Sequence, residues 1–192
     1  MNSDEVLMRE YQLGSRPAFE ELYARYSGPL YGFFRRRLDS PQRAEELAQE
    51  TFLAVIRGVA RYEPRALVRT YLYGIALKLV ASERRQNRSE SAVGDSDAEP
   101  TTPGTQESGL WVREAVAKLD TGDREILMLR EYEQLSYAEI AGLLRIPVNT
   151  VRSRLFRARM ALKEYLNPTS VQTKAHQSAS ATTTTAPAEG EA

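Results

Sequence analysis

A run of polar side chains between positions 149 and 157 carries the clearest chemistry in this sequence. It contains an asparagine, two hydroxyl side chains and three arginines at helical spacing, opposite an apolar stripe that includes Val151 and Leu155. Arginine forks match guanine edges and phosphates, asparagine can pair with adenine, and serine or threonine can reach either. The pattern therefore predicts a helix that reads duplex DNA, and its contact residues are Asn149, Thr150, Arg152, Ser153, Arg154 and Arg157.

The residues before this helix predict the turn that positions it. Ser136 and Glu139 form a capping box, which opens the short amphipathic helix YAEIAGLL. The turn Arg145-Ile146-Pro147 follows, with one apolar anchor. A short helix, a tight turn and a basic second helix are typical of a helix-turn-helix. The alternative is a solvated face on an ordinary helical hairpin, but that arrangement would not require all these signals to fall in register.

The charges are balanced in number and segregated in position. The 192 residues include 26 Lys+Arg and 26 Asp+Glu, so the formal net charge is zero. Segment 61–88 nevertheless holds seven basic and two acidic residues, and segment 145–163 holds six basic and no acidic residues. Segment 89–107 holds five acidic and no basic residues. This uneven distribution of charge along the chain favours local contacts with nucleic acid, even though the net charge is zero.

Periodicity and composition predict an all-α fold with two small helical domains joined by a flexible acidic linker, the C-terminal domain containing the helix-turn-helix. The linker is predicted from the proline, glycine and acidic residues of its segment, and the disordered tail is predicted from its low sequence complexity. Helical spacing predicts helices over 65–88, 109–119, 122–133, 137–144 and 148–166. The predicted boundaries are 1–88, the linker 89–108, the helix-turn-helix domain 109–167 and a disordered tail 168–192.

Composition also excludes several classes of function. The chain has no cysteine, and its one histidine, His176, lies in the tail, so thiol chemistry, imidazole triads and cysteine- or histidine-based metal sites are not expected. We therefore predict no enzyme activity, no catalytic residue, no cofactor and no metal. No apolar run approaches the ~20 residues of a membrane span, and the first residues do not resemble a signal peptide. The expectation is a cytoplasmic protein with no membrane insertion.

Three sequence blocks resemble the extracytoplasmic-function (ECF) group of bacterial RNA polymerase sigma factors. EIAGLLRIPVNTVRSRLFRARMAL, over 139–162, is similar to region four of that group. AEELAQETF, over 44–52, and RTYLYGIA, over 69–76, are similar to region two. The resemblance implies a subunit that joins core RNA polymerase and directs it to promoter DNA through the −10 and −35 elements. It also implies an anti-sigma factor as a partner.

The resemblance implies roles for individual residues as well. The basic helix of region four would read the −35 element. The helix over 44–52 would dock on the clamp helices of the largest polymerase subunit, through Glu45, Glu46, Leu47, Gln49, Glu50 and Phe52. The loop 60–67 and the helix after it would meet the −10 element, through Tyr62, Arg65, Arg69, Tyr71, Lys78, Arg84 and Arg85.

Some of these roles stay open at the level of sequence. Leu47, Phe52 and Tyr71 could equally be core residues. Lys78 stands where the group commonly carries asparagine, and lysine is a point charge with little geometric selectivity, so the −10 preference is in doubt. The runner-up function is a stand-alone helix-turn-helix regulator, which would bind a duplex operator without polymerase, as a dimer on paired half-sites.

Overall fold

The structure is a computed structural model that describes residues 2–64, 67–91 and 107–166, and its regular elements in these ranges are all helical. The predicted all-α class is confirmed. The helices are, in chain order, α1 (Asp4–Gln12), α2 (Arg16–Arg35), α3 (Pro41–Gly58), a 3-10 turn (Val59–Arg61), α4 (Val68–Ser91), α5 (Glu107–Ala117), α6 (Thr121–Glu131), α7 (Tyr137–Leu144) and α8 (Val148–Leu166).

Side-chain caps explain where several helices begin. Ser3, Ser15 and Ser40 each accept a hydrogen bond from the backbone N–H three residues further on, at the starts of α1, α2 and α3. At α7 both halves of the predicted capping box are present, since Ser136 accepts from the Glu139 N–H and Glu139 accepts from the Ser136 N–H. The predicted bounds of α7 and α8 are confirmed.

Two predicted segments, the linker and the tail, lie partly or wholly outside the described residues. Of the predicted linker, residues 89–91 belong to α4 and 107–108 to α5, while the rest lies outside the described residues. The predicted disordered tail 168–192 also lies outside them. The helix predicted over 65–88 is observed as α4, which begins at Val68.

Packing groups the described helices into two compact units. Unit 1 holds α1 to α4 together with residues 128–151, and unit 2 holds the described parts of 105–127 and of 152–192. The fully buried side chains of unit 1 include Leu30, Phe33, Phe34, Ala44, Val68 and Ala76. The buried apolar side chains in the described part of unit 2 are Ala115, Leu119, Ile126, Leu127, Leu155 and Ala158. The boundaries proposed from sequence remain predictions, because packing units need not coincide with functional regions.

Candidate nucleic-acid interface and docking groove

Helix α8 separates an apolar side from a polar side. Val151, Leu155 and Ala158 are at most 1% exposed and face the protein interior. The opposite side is polar, and we call its exposed predicted contacts the reading face: Asn149, Arg152, Ser153 and Arg157. Thr150 and Arg154 are half-buried at its edges. The structure thus brings all six predicted −35 contacts onto one helix, whose width suits a major groove.

Arg157 has a partner that the sequence did not reveal. In unit 2 its guanidinium donates to both carboxylate oxygens of Asp123 on α6, at 2.6 and 2.7 Å. Asp123 is only 4% exposed, and the hydrogen bond from Arg157 holds the pKa of this carboxyl below its usual range. The Arg157 side chain itself is 64% exposed. Asp123 therefore holds the guanidinium by its Nε and Nη2 groups, while most of the Arg157 side chain remains exposed to solvent.

Arg154 lies against the start of α6 as well. A Cβ added to Gly122 would lie 2.6 Å from Nη1 of Arg154, so a larger residue there would displace the guanidinium from this position. The positive charge of Arg154 also contributes to the lowered pKa of Asp123. Arg154 thus serves the packing of unit 2 in addition to any contact with DNA.

Phe156 is a surface residue that the sequence reading missed. It is 66% exposed and lies on α8 directly before Arg157. The signal that could have found it is a large aromatic side chain outside the apolar stripe of an amphipathic helix.

The predicted −10 residues are spread along α4 and the segment before it. Lys78, Arg84 and Arg85 are exposed, and Arg65 lies outside the described residues. Tyr62 and Tyr71 contact each other edge to face, with ring centroids 5.0 Å apart. Both rings are half-buried against a core cluster with side chains from all four helices α1 to α4, and burial raises the pKa of both phenols. Any contact of these two tyrosines with DNA would therefore use rings that also pack against the core.

Arg69, another predicted −10 residue, is bound inside unit 1. Its guanidinium donates to both carboxylate oxygens of Glu139 at 2.7 Å, and Thr70 Oγ1 donates to the same carboxylate at 2.8 Å. Burial raises the pKa of Glu139, but hydrogen bonds from Arg69, Ser136 and Thr70 outweigh it and lower this pKa to about 2. Glu139 thus closes the capping box of α7 and holds α4 at the same time.

Glu139→Gln is expected to lower the free energy of unfolding by about 1–2 kcal/mol at neutral pH, because charge-assisted hydrogen bonds to Arg69 are lost while glutamine keeps the cap. Arg69 is partly exposed, which keeps the loss modest. The folded-state pKa of Glu139 lies below its ordinary value of 4.5, so its contribution is complete above pH 4.5 and disappears as the pH falls towards 2.

Urea titrations of the wild-type and Glu139→Gln proteins between pH 6 and 3 measure this difference. A stability gap of constant size across that range would contradict the assignment.

The helix predicted to bind polymerase presents a mixed surface. On α3, Glu45 and Gln49 are exposed and Glu46 and Glu50 are half-buried. Leu47, at 1% exposure, belongs to the core and offers no surface in this conformation. Arg43 bonds Glu46 at 2.9 Å and lies 3.7 Å from Glu50. Glu45 and Gln49 are thus the predicted polar contacts that stand clear of the Arg43 cluster.

A groove runs between α2 and α3 beside these two residues. It has a volume of about 410 Å³, and we call it the docking groove; its lining is Tyr23, Ser27, Gly28, Tyr31, Glu45, Ala48, Gln49 and Phe52. Phe52 is 5% exposed and packs against Tyr23, with ring centroids 4.7 Å apart. Aromatic walls with an acidic rim suit a partner that brings apolar and cationic side chains.

Metal-ion clusters and membrane-spanning helices are both absent from the part of the chain that the structure describes. Within the described ranges, no group of three or more histidine, cysteine or acidic side chains could hold a metal ion. None of the helices in those ranges is long and apolar enough to cross a membrane.

The elements in the described ranges are helical and include a helix-turn-helix, which is typical of a DNA-binding transcription protein. Comparisons with known proteins specify the class. Residues 22–90 match the family described as Sigma-70 region 2, and residues 109–162 match Sigma-70, region 4. RNA polymerase sigma-H factor of Pseudomonas aeruginosa is 32% identical over 182 residues, which cover 86% of this chain and 94% of that protein.

A further relative and one solved structure agree. The ECF RNA polymerase sigma-E factor of Escherichia coli is 31% identical over 185 residues, covering 86% of this chain and 95% of that protein. The structure of CnrH in complex with the cytosolic domain of CnrY matches with a TM-score of 0.67 and 26% identity, covering 87% of this chain and 99% of CnrH. The chain belongs to the ECF group of RNA polymerase sigma factors, which direct transcription initiation. The resemblance seen in the sequence is confirmed.

Proposed function

We propose that this sigma factor binds core RNA polymerase through Glu45, Gln49 and the docking groove, and recognises promoters through α4 and the reading face. The observation that carries the proposal is α8, where an apolar side seated in the protein opposes a cationic face of groove-reading side chains. Arginine and asparagine on that face supply base readout, and Arg157 also suits a phosphate. Phe156 adds an apolar surface that fits a thymine methyl group.

The −10 role is assigned to the exposed part of α4. Tyr71, Lys78 and Arg85 recur every seven residues and so fall near one face of the helix. Aromatic and cationic side chains in such a row suit a single DNA strand, through stacking and phosphate attraction. The opened −10 element is such a strand.

Three further assignments follow from the family. The chain works in the cytoplasm, where its polymerase is, and acts as a non-catalytic specificity subunit. An anti-sigma factor regulates it. This last assignment is supported by the match to CnrH, which was solved in complex with the cytosolic domain of CnrY. A stand-alone regulator is not favoured, because the region-two match over 22–90 has no role in such a protein.

Transcription with purified components tests the proposal. The full chain is added to core polymerase on a library of promoter fragments, and transcripts are sequenced. Promoter-dependent initiation with shared −35 and −10 elements is the expected result. Absence of both polymerase binding and initiation, with tight duplex binding by the chain alone, would favour the stand-alone regulator instead.

Lys78→Asn is expected to sharpen the choice among −10 sequences and to weaken salt-dependent affinity. Lysine attracts any phosphate, whereas an asparagine amide can distinguish adenine from other bases. The slope of log affinity against log salt should fall by about 0.7, the value for one phosphate contact on a single strand. Initiation from a set of single-base −10 variants measures selectivity, with Lys78→Ala as the control for charge loss alone. An unchanged salt slope in both variants would remove Lys78 from the −10 interface.

A further inference from the structure

Gln12, the last residue of α1, binds the segment that carries Tyr62. Its Nε2 group donates to the backbone oxygens of Val59 and Tyr62, at 2.8 Å in both cases. Backbone oxygens accept hydrogen bonds and an amide NH2 group has two hydrogens, so one side chain can serve both carbonyls. The two bonds join residues 47 and 50 positions apart, and both are half-buried. Gln12 therefore spans the 3-10 turn, from its first residue to the residue that follows it.

The oxygen of Val59 takes part in a second bond of this turn. The Tyr62 N–H donates to it at 3.1 Å, in addition to the bond from Gln12. A carbonyl oxygen has two lone pairs, so both bonds can form together. The backbone of Tyr62 is thus bonded on both sides, through its N–H to the turn and through its C=O to Gln12.

Helix α1 is itself fixed in the core of unit 1. Leu7 and Met8 are 4% and 1% exposed and belong to one cluster with Val68 of α4. Glu5, on the same helix, accepts a hydrogen bond from the Val68 N–H at 3.4 Å. Because close packing leaves buried side chains little freedom, α1 is a rigid support for Gln12. The helix contacts the chain at the start of α4 as well as at the 3-10 turn.

The hydroxyl group of Tyr62 does not determine where its ring lies. This oxygen is buried, and among the described residues it has no hydrogen-bond partner. A buried hydroxyl without a partner is unfavourable, so other contacts must hold the ring in place. These contacts are the edge-to-face packing on Tyr71 and the backbone bond from Gln12. Tyr71 begins the row of α4 that continues through Lys78 and Arg85.

We infer that Gln12 is a positioning residue for −10 recognition, which holds the Tyr62 ring beside Tyr71 at the beginning of the α4 row. The inference rests on the proposed −10 role of α4. It adds a residue of α1, a helix that precedes the region-two match over 22–90. An aromatic ring stacks on a base only at a defined place and angle. Loss of the two Gln12 bonds should therefore lower discrimination between bases and leave polymerase binding unchanged.

Initiation by core polymerase and the full chain, on the set of single-base −10 promoter variants, tests this role. Gln12→Met keeps the length and neutrality of the side chain and removes its two donors. The ratio of initiation from the preferred −10 element to initiation from its variants should fall by about threefold or more. This ratio does not depend on the fraction of folded protein, so a loss of stability alone leaves it unchanged.

Gln42→Met is the matched control, because it makes the same substitution at an exposed position of α3. Its selectivity ratio should stay within about 1.5-fold of the wild-type ratio. Equal losses of selectivity in the two variants would show a general effect of the substitution and overturn the inference.

Hydrogen exchange of the free chain supplies a second measurement. The Tyr62 amide, which donates to the Val59 oxygen, should exchange about fivefold faster or more in Gln12→Met than in the wild type. The amides of α3 are the internal reference and should exchange at the wild-type rate. Faster exchange confined to the 3-10 turn would tie the loss of selectivity to the position of Tyr62.

The positioning role requires both effects. An unchanged selectivity ratio in Gln12→Met, even with faster exchange at Tyr62, would show that the two bonds are packing contacts without a part in base recognition. A lower ratio with unchanged exchange would place the cause elsewhere, and either result would overturn the inference. Polymerase binding and initiation by the wild-type chain are measured in parallel. Their absence would overturn the proposed function, whereas selective initiation with equal ratios for wild type and Gln12→Met would overturn the positioning role alone.

Discussion

Glu45→Lys is expected to weaken binding to core RNA polymerase by tenfold or more, with the helical content unchanged. Glu45 is exposed on the rim of the docking groove, beside Gln49, and stands clear of the Arg43 cluster. An acidic rim favours a cationic partner surface, and reversal of its charge places like charges together across the interface. A tenfold loss corresponds to about 1.4 kcal/mol, a modest cost for such a reversal.

The measurement is competition between labelled and unlabelled sigma factor for core polymerase. Glu20→Lys is the control, because Glu20 is an exposed residue of α2 whose pair with Arg16 is also exposed. The control should bind as the wild type does. Equal losses in the two variants would indicate general electrostatics and would move the docking surface away from α3.

Local signals explain what the sequence could predict. Ser136 and Glu139 mark the start of α7 by a reciprocal hydrogen-bond pattern that depends only on residues three apart. Pro147 sits one residue before α8, where a missing N–H costs nothing. The apolar period of α8 then fixes which side chains face inward, and Val151 and Leu155 are buried as that period requires.

Residues 47 and 52 show where the sequence alone could not separate packing from binding. The resemblance placed Leu47 and Phe52 on the docking surface, whereas their apolar side chains made a core position equally possible. Leu47 is buried in the core, and Phe52 is buried but still lines the groove. A motif reports which residues a family keeps, and a side chain can be kept for packing as well as for binding.

The long-range ion pairs could not be predicted in this way. Arg43–Glu83 links residues 40 apart in sequence, and Asp123–Arg157 links residues 34 apart. Such pairs depend on how helices pack, which neither periodicity nor capping determines. These pairs also bear on the zero net charge. Several acidic side chains pair with arginines of the folded units and so do not face a partner.

Arg157→Ala is expected to weaken binding to a −35 duplex by about tenfold. At Arg157, the pairing with Asp123 and the contact with DNA can be tested separately. One cation leaves the reading face, so the slope of log affinity against log salt should fall by about one. Asp123→Asn keeps that cation and removes only its anchor, since the Asp123 carboxylate accepts from Nε and Nη2 of Arg157. This variant should lose less affinity and keep the salt slope of the wild type.

The assay uses a duplex whose −35 element is selected from the promoter library, at several salt concentrations. Lys163→Ala, on an exposed position near the end of α8, is the control for loss of a cation away from the reading face. If Arg157→Ala and Asp123→Asn lose equal affinity and neither changes the slope, Arg157 acts only by tying α6 to α8. If the slope falls in Arg157→Ala alone, the exposed edge of the guanidinium binds phosphate while Asp123 holds it in position.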